Sequence, residues 1–243
     1  MSDSDTPSAQ GSSPDPAEFD PVAADYRVQQ RRSLGRFGTS VDYFSEYKVA
    51  AVARHLRQKA PTCRSILDFG SGIGASIPYF QRFFPNAALT CSDVSGESLR
   101  LAREAHGDGI QYQTLDGIPM PFEDKCFDVI FSACVFHHIP AELHVAHLRE
   151  LRRLLKTGGV FFLFEHNPLN PLTLRVVQRC PFDENAVLIR AHVMVSRLRE
   201  AGFSAVERRY RLFLPPALSF MRVLEDGLGW CALGAQYSLT ATR

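Results

Sequence analysis

The sequence predicts an α/β fold, a mostly parallel sheet with helices on both faces. Two observations carry that expectation. Between Ile66 and Glu165, apolar strand-like runs alternate with helix-spaced segments in the order β-α-β-α-β-β-α-β. The first run, Ile66-Leu67-Asp68-Phe69, breaks into the alternating glycines Gly70, Gly72 and Gly74 before helical spacing begins. A strand, a tight glycine turn and a helix start let a nucleotide-like ligand approach bare backbone at the strand ends. At 243 residues the chain can bury one substantial core, so one domain spanning 22–243 is expected.

The elements follow in order. Residues 1–21 are rich in Ser, Asp and Pro without an apolar run, and are expected to form a disordered tail. Tyr26–Phe37 and Val41–Gln58 have amphipathic helical spacing within the stretch 22–62 that precedes the first strand. After the glycine turn, Ala75–Phe84 reads as a helix and Ala88–Asp93 as a second strand. Ile110–Leu115 is a third strand, ending in Asp116-Gly117, and Phe127–Ser132 is a fourth. Leu154 to Gly159 lead into a fifth, Val160–Glu165. The alternation then stops. Pro168, Pro171 and Pro181 interrupt an insertion over 166–190 that retains one short helix, Leu172–Arg179. A helix over His192–Ala201 is stopped by Gly202, Phe203–Leu214 alternates as a strand until Pro215-Pro216, and Gln236–Thr242 alternates as another.

The glycine turn fits two patterns. Gly70, Gly72 and Ala75 satisfy the G-x-G-x-x-G/A of a dinucleotide site. Asp68, Gly70, Gly72 and Gly74 satisfy the D-x-G-x-G-x-G of an S-adenosylmethionine site. Asp68 favours the second, because a carboxylate there crowds a pyrophosphate with like charge but suits the ammonium of a methionine moiety. Asp93 lies nineteen residues after Gly74 at a strand's end, where a carboxylate accepts ribose hydroxyls in either reading. Asp116 and the next N–H are placed to read an adenine edge.

This ordered series resembles the class I S-adenosylmethionine-dependent methyltransferases, closest to the small-molecule branch of the ubiquinone and menaquinone biosynthesis type. The resemblance covers roughly Asp42 to Arg243. It implies a Rossmann-like, doubly wound, seven-stranded sheet with an antiparallel C-terminal edge strand and an N-terminal helical lid. It also implies S-adenosylmethionine as cofactor, held by Asp68, Gly70, Ser71, Gly72, Gly74, Asp93, Val94, Asp116, Gly117 and Ala133.

Methyl transfer is an in-line displacement in which the protein chiefly positions an acceptor and excludes water. His137 and His138 after the fourth strand and His166 after the fifth are the acid–base candidates, each beside a packing role for the Phe-His-His-Ile run. Phe44, Tyr47, Phe136, Leu169, Leu172 and Val176 are expected to line an apolar acceptor site. No metal is expected, since the fourth strand ends in Ser132-Ala133-Cys134 without a carboxylate. The Asn/Asp-Pro-Pro-aromatic motif of base and protein N-methylation is replaced by Ala133-Cys134-Val135-Phe136, which turns the expectation to oxygen or carbon of a small molecule.

Net charge of +1 argues against a nucleic-acid partner, and the Arg27, Arg31, Arg32 and Arg36 cluster reads as a solvated helix face. The six cysteines form no C-x-x-C pair, and with no export signal or membrane-length apolar run they read as reduced thiols in the cytoplasm. Association as a homodimer stays open. An NAD(P)-dependent oxidoreductase is the competing reading, weakened because no Tyr precedes a Lys by four residues. A non-catalytic binding protein of the same fold is the other.

Overall fold

The computed structural model describes residues 41–59, 63–179, 186–213 and 227–243. The expected tail over 1–21, the helix over 26–37 and the remainder of the lid before residue 41 lie outside them. Among the described residues the chain forms seven strands in one sheet, ordered β3-β2-β1-β4-β5-β7-β6.

Helix α1 (Val41–Lys59) precedes β1 (Ser65–Phe69), the central strand. From Ile66 on, β1 is buried at every position because parallel neighbours flank it and helices cover both faces, so its sequence is a continuous apolar run interrupted by Asp68. Residues 72–76 form turns and α2 spans only Ile77–Phe83, shorter than the expected Ala75–Phe84. Pro78 explains the late start, since proline is tolerated only in a helix's first turn. Strand β2 (Ala88–Asp93) is followed by α3 (Gly96–His106), whose N-cap Ser95 accepts from the Ser98 N–H. Strands β3 (Gln111–Thr114) and β4 (Phe127–Ala133) complete the first half.

Two short 3₁₀ turns, Phe136–His138 and Ala141–Leu143, lead into α4 (His144–Leu154), which passes directly into β5 (Leu155–His166). Helix α5 (Pro171–Val177) lies in the insertion, one residue earlier at its start than expected. Helix α6 (Ala191–Glu200) ends where Gly202 takes φ +91° and the Phe203 N–H closes back on the Leu198 carbonyl. Strand β6 (Ser204–Arg211) stops at Leu212, which takes φ +61°; the expected Leu214 end and Pro215-Pro216 lie outside the described residues. Strand β7 (Gln236–Thr242) runs antiparallel between β5 and β6, giving the sheet its antiparallel C-terminal edge.

Strand alternation sends successive side chains to opposite faces and makes two cores. Leu67, Ile130, Phe161 and Leu163 pack with α4 and α6 through Leu148, Leu151, Met194 and Leu198. Ile66, Phe131, Phe162 and Phe164 pack with α1, α2 and α3 through Val49, Val52, Phe80 and Leu99. The parallel strands therefore end together along one edge, where Asp68, Asp93, Thr114, Ala133 and His166 stand.

Phe161 is fully buried between the rings of Phe136 and Phe203. Phe161→Ala leaves a cavity at the sheet's centre and is expected to cost about 3–5 kcal/mol. Urea unfolding followed by circular dichroism measures it.

Candidate active site

The turn after β1 is closed by backbone: the Gly70 and Ser71 N–H groups both donate to the Ser92 carbonyl, at 2.8 and 2.9 Å. Gly70, Gly72 and Gly74 all have positive φ, a conformation costly for any residue with a Cβ. Their surroundings separate them. A Cβ on Gly70 would sit 2.3 Å from Val135 Cγ2, and one on Gly74 would sit 2.5 Å from Ile77 Cδ1. Nothing lies within 4 Å of a Cβ on Gly72. Two glycines therefore serve packing, and the middle one keeps a space clear.

Asp93 ties β2 to that turn. Its Oδ2 accepts from the Gly72 N–H at 2.7 Å and its Oδ1 from the Ser95 N–H at 3.0 Å. The carboxylate thus orients the turn through both of its oxygens. Val94 packs on the core beside it. Asp116 is exposed in the loop after β3, and Gly117 after it has φ +83°.

Asp68 is 2% exposed and its Oδ2 finds no hydrogen-bond partner among the described residues. Burial, reinforced by the nearby Asp93 charge and opposed by Lys48, pushes its carboxyl up to about 8. A buried acid left in that state is suited to meeting a cation, and the open space over Gly72 lies along the same turn.

Glu165, at the end of β5, is equally buried with the opposite outcome. Its Oε1 accepts from the Val135 and Phe136 N–H groups at 3.1 and 2.8 Å, and its Oε2 meets His137 Nδ1 at 2.6 Å. Burial works to raise its pKa, but His137, His166 and these N–H donors outweigh it and hold the carboxyl below its usual range. The sequence placed Glu165 only as the last residue of the fifth strand. Its glutamate at the end of an apolar strand, facing a Phe-His-His run, was the available signal.

That geometry bears on two candidate residues. His137 is buried and its Nδ1 meets Glu165, which ties the loop after β4 to β5. Phe136 is fully buried against Phe69, Phe161 and His144. His138 and His166 are half-buried and gather with His137, whose ring centroid lies 4.2 Å from His138 and 5.5 Å from His166. Lys48 and Cys134 join this group, with Lys48 Nζ 3.6 Å from Cys134 Sγ. Neither was singled out for a role from sequence, because α1 and β4 are brought together only by the fold. Among the described residues no group of three His, Cys, Asp or Glu could hold a metal ion.

The insertion is stapled to the chain before β7. Asn167 Nδ2 donates to the Ala232 and Gly234 carbonyls, and Asn170 caps α5 while donating to the Leu233 carbonyl. Leu169 and Leu172 are exposed at this lip and Val176 is half-buried. Phe44 and Tyr47 are half-buried on α1, with Arg211 5.9 Å from the Tyr47 ring.

Residues 67–163 match the family model described as a methyltransferase domain. A malonyl-[acyl-carrier protein] O-methyltransferase of Herminiimonas arsenicoxydans is 34% identical over 116 residues, 48% of this chain and 42% of that protein. A ubiquinone/menaquinone biosynthesis C-methyltransferase of Desulfotalea psychrophila is 30% identical over 100 residues, 41% and 40% of the two chains. The matches thus span under half the length of these relatives. A solved S-adenosylmethionine-dependent methyltransferase from Thermotoga maritima superposes with a TM-score of 0.64 at 17% identity, over 93% of this chain and 98% of that one. The fold is that of the class I S-adenosylmethionine-dependent methyltransferases. The stretch that matches the methyltransferase-domain model carries the buried acid and the clear glycine turn, and these fit an S-adenosylmethionine cofactor.

Two outcomes check this geometry. Gly72→Val adds a branched side chain to the clear space and is expected to abolish S-adenosylhomocysteine binding by titration calorimetry with a near-native circular dichroism spectrum. Asp68 holds its proton in the folded chain up to about pH 8, against about 3.9 for an unfolded aspartate, so folded stability falls as pH rises through that window. A ligand ammonium favours the ionised form, so binding at pH 7 should release close to one proton and tighten as pH rises toward 8. Calorimetry in phosphate and Tris buffers reads the proton release, which Asp68→Asn should remove.

Proposed function

We propose that this chain transfers the methyl group of S-adenosylmethionine to an oxygen or carbon of a small, apolar molecule of aromatic or isoprenoid-like character. The observation that carries the reading is the buried Asp68 carboxyl with its unpartnered Oδ2, set beside a glycine turn kept clear at Gly72. In this reading Asp68 meets the methionine ammonium, with Ser71 and Gly74 completing the turn around it. Asp93 accepts from the ribose hydroxyls, and Asp116 with the Gly117 N–H reads the adenine. Ala133 closes the site at the end of β4. The cofactor supplies the reactive methyl and its leaving group. The chain's residues orient the acceptor and keep water away.

On the acceptor side, His166 and His138 stand at the strand ends where a hydroxyl or acidic carbon can be deprotonated. Leu169 and Leu172 on the insertion, with Val176, Phe44 and Tyr47, give the site an apolar lip. The two relatives named for O- and C-methylation support both acceptor atoms, and the quinone relative supports the ubiquinone and menaquinone branch. The described cysteines are free, and no described helix is long and apolar enough to cross a membrane. A cytoplasmic enzyme without a nucleic-acid partner accords with these features and with a net charge of +1.

Transfer of labelled methyl from S-adenosylmethionine to a panel of quinols, phenols and fatty acids tests the reading; no transfer to any of them would count against it. Asp93→Ala removes acceptors for two hydroxyls worth about 1.5–3 kcal/mol each before water substitutes. Cofactor affinity should weaken at least about tenfold. Leu172→Ala should change the acceptor KM and leave the cofactor Kd unchanged, whereas equal losses in both would make α5 a structural element.

A further inference from the structure

Strand β4 ends at Ala133, and Cys134 leaves the sheet with φ +61° while its N–H donates to the Phe164 carbonyl at 2.8 Å. Its half-buried thiol is met by groups from three different elements. Lys48 Nζ of α1 lies 3.6 Å from Sγ, Gln236 Nε2 of β7 lies 3.9 Å away, and His166 of β5 hydrogen-bonds to it. The other described cysteines with shifted thiols stand in the reverse setting. Burial and the Asp128 charge push Cys63 up to about 12, burial and the Asp68 and Asp93 charges raise Cys91, and burial raises Cys126.

We propose that Cys134 is a modification site for oxidants of the peroxide class, a reactive thiolate at the strand-end edge that stops turnover when oxidised. The thiol's reactivity stands on this cluster alone, and only its effect on turnover rests on the methyl-transfer reading. The Lys48 ammonium, the His166 imidazole and an amide donor stabilise a thiolate, which is the nucleophilic form. The balance of groups agrees: burial raises the thiol's pKa and Glu165 adds to it, yet Lys48 and His166 together bring it down to about 7.

The step balances as follows. The thiolate sulfur attacks one oxygen of hydrogen peroxide, an S–O bond forms and the O–O bond breaks. The departing hydroxide takes a proton from solvent and leaves as water. Cysteine is oxidised to sulfenic acid and peroxide is reduced. The product is uncharged and no longer holds the Lys48 ammonium, whose charge also acts on Asp68. Oxidation at Cys134 therefore disturbs the cofactor end of the site through Lys48.

The test is alkylation of the full-length native protein by iodoacetamide at pH 7, with the rate at each cysteine read by peptide mass spectrometry. Cys134 should react at least about tenfold faster than Cys63, Cys91 and Cys126, with a half-maximal rate near pH 7. Lys48→Met should move that midpoint upward by about one pH unit or more, as expected for loss of an opposite charge within about 4–6 Å. Cys91, fully buried, reports any unfolding of the variant by becoming reactive. Peroxide followed by dimedone should label Cys134, methyl transfer should fall in step, and dithiothreitol applied before dimedone should restore it. Equal alkylation of Cys134 and Cys63, or an unmoved midpoint in Lys48→Met, would overturn the thiolate. Labelling without loss of turnover would overturn the control it exerts. Labelling is read by mass, so its failure is distinct from a failure to transfer methyl groups.

Discussion

A buried carboxylate must find donors or keep its proton, and the strand-end edge of this sheet solves that constraint twice in opposite ways. Glu165 takes two backbone N–H groups and an imidazole, stays ionised, and fixes the loop from Val135 to His137. Asp68, two strands away in the order β1-β4-β5, has an oxygen without a donor among the described residues and a strongly raised pKa. The first acid is part of the scaffold. The second is in the state a protein does well to maintain only where a ligand's positive charge compensates it.

The loop held by Glu165 has consequences at a distance. Val135 stands over Gly70 so closely that no side chain fits there, and the turn at Gly70 and Ser71 is fastened to β2 by the Ser92 carbonyl. Asp93 then holds Gly72 from the far side. Three strands and two loops thus place a small set of backbone groups around one clear space, with most of the positioning done by hydrogen bonds to main chain. Backbone donors suit this task because they carry no side-chain rotamer freedom to lose.

The insertion after β5 is assembled differently. It is anchored through Asn167, Asn170 and Thr173 to carbonyls between residues 232 and 235, so its helix is rigidly placed while its leucines remain exposed. An apolar lip on an anchored frame can vary in side chain without loosening the cofactor half. The same edge collects Lys48, Cys134 and His166 from three separate elements, a chemistry that the glycine turn and its flanking acids do not supply.

The sequence by itself determined the element order, the bounds of β2 and β7, the glycine turn and the acids that flank it. These are local signals: alternation, apolar runs, and glycines in a row are written in contiguous residues. Its reading of α2 was too long because Pro78 admits only a first turn, and the burial of His137 and Phe136 was not legible in it because exposure is not a local property. Both lie next to half-buried neighbours in the chain, and only the packing of β5 and α4 decides which ring turns inward. The roles of Glu165, Lys48 and Cys134 belong wholly to the tertiary structure. Their partners lie 28 to 102 residues away, and whether a carboxylate or thiol is charged depends on which groups the fold sets around it.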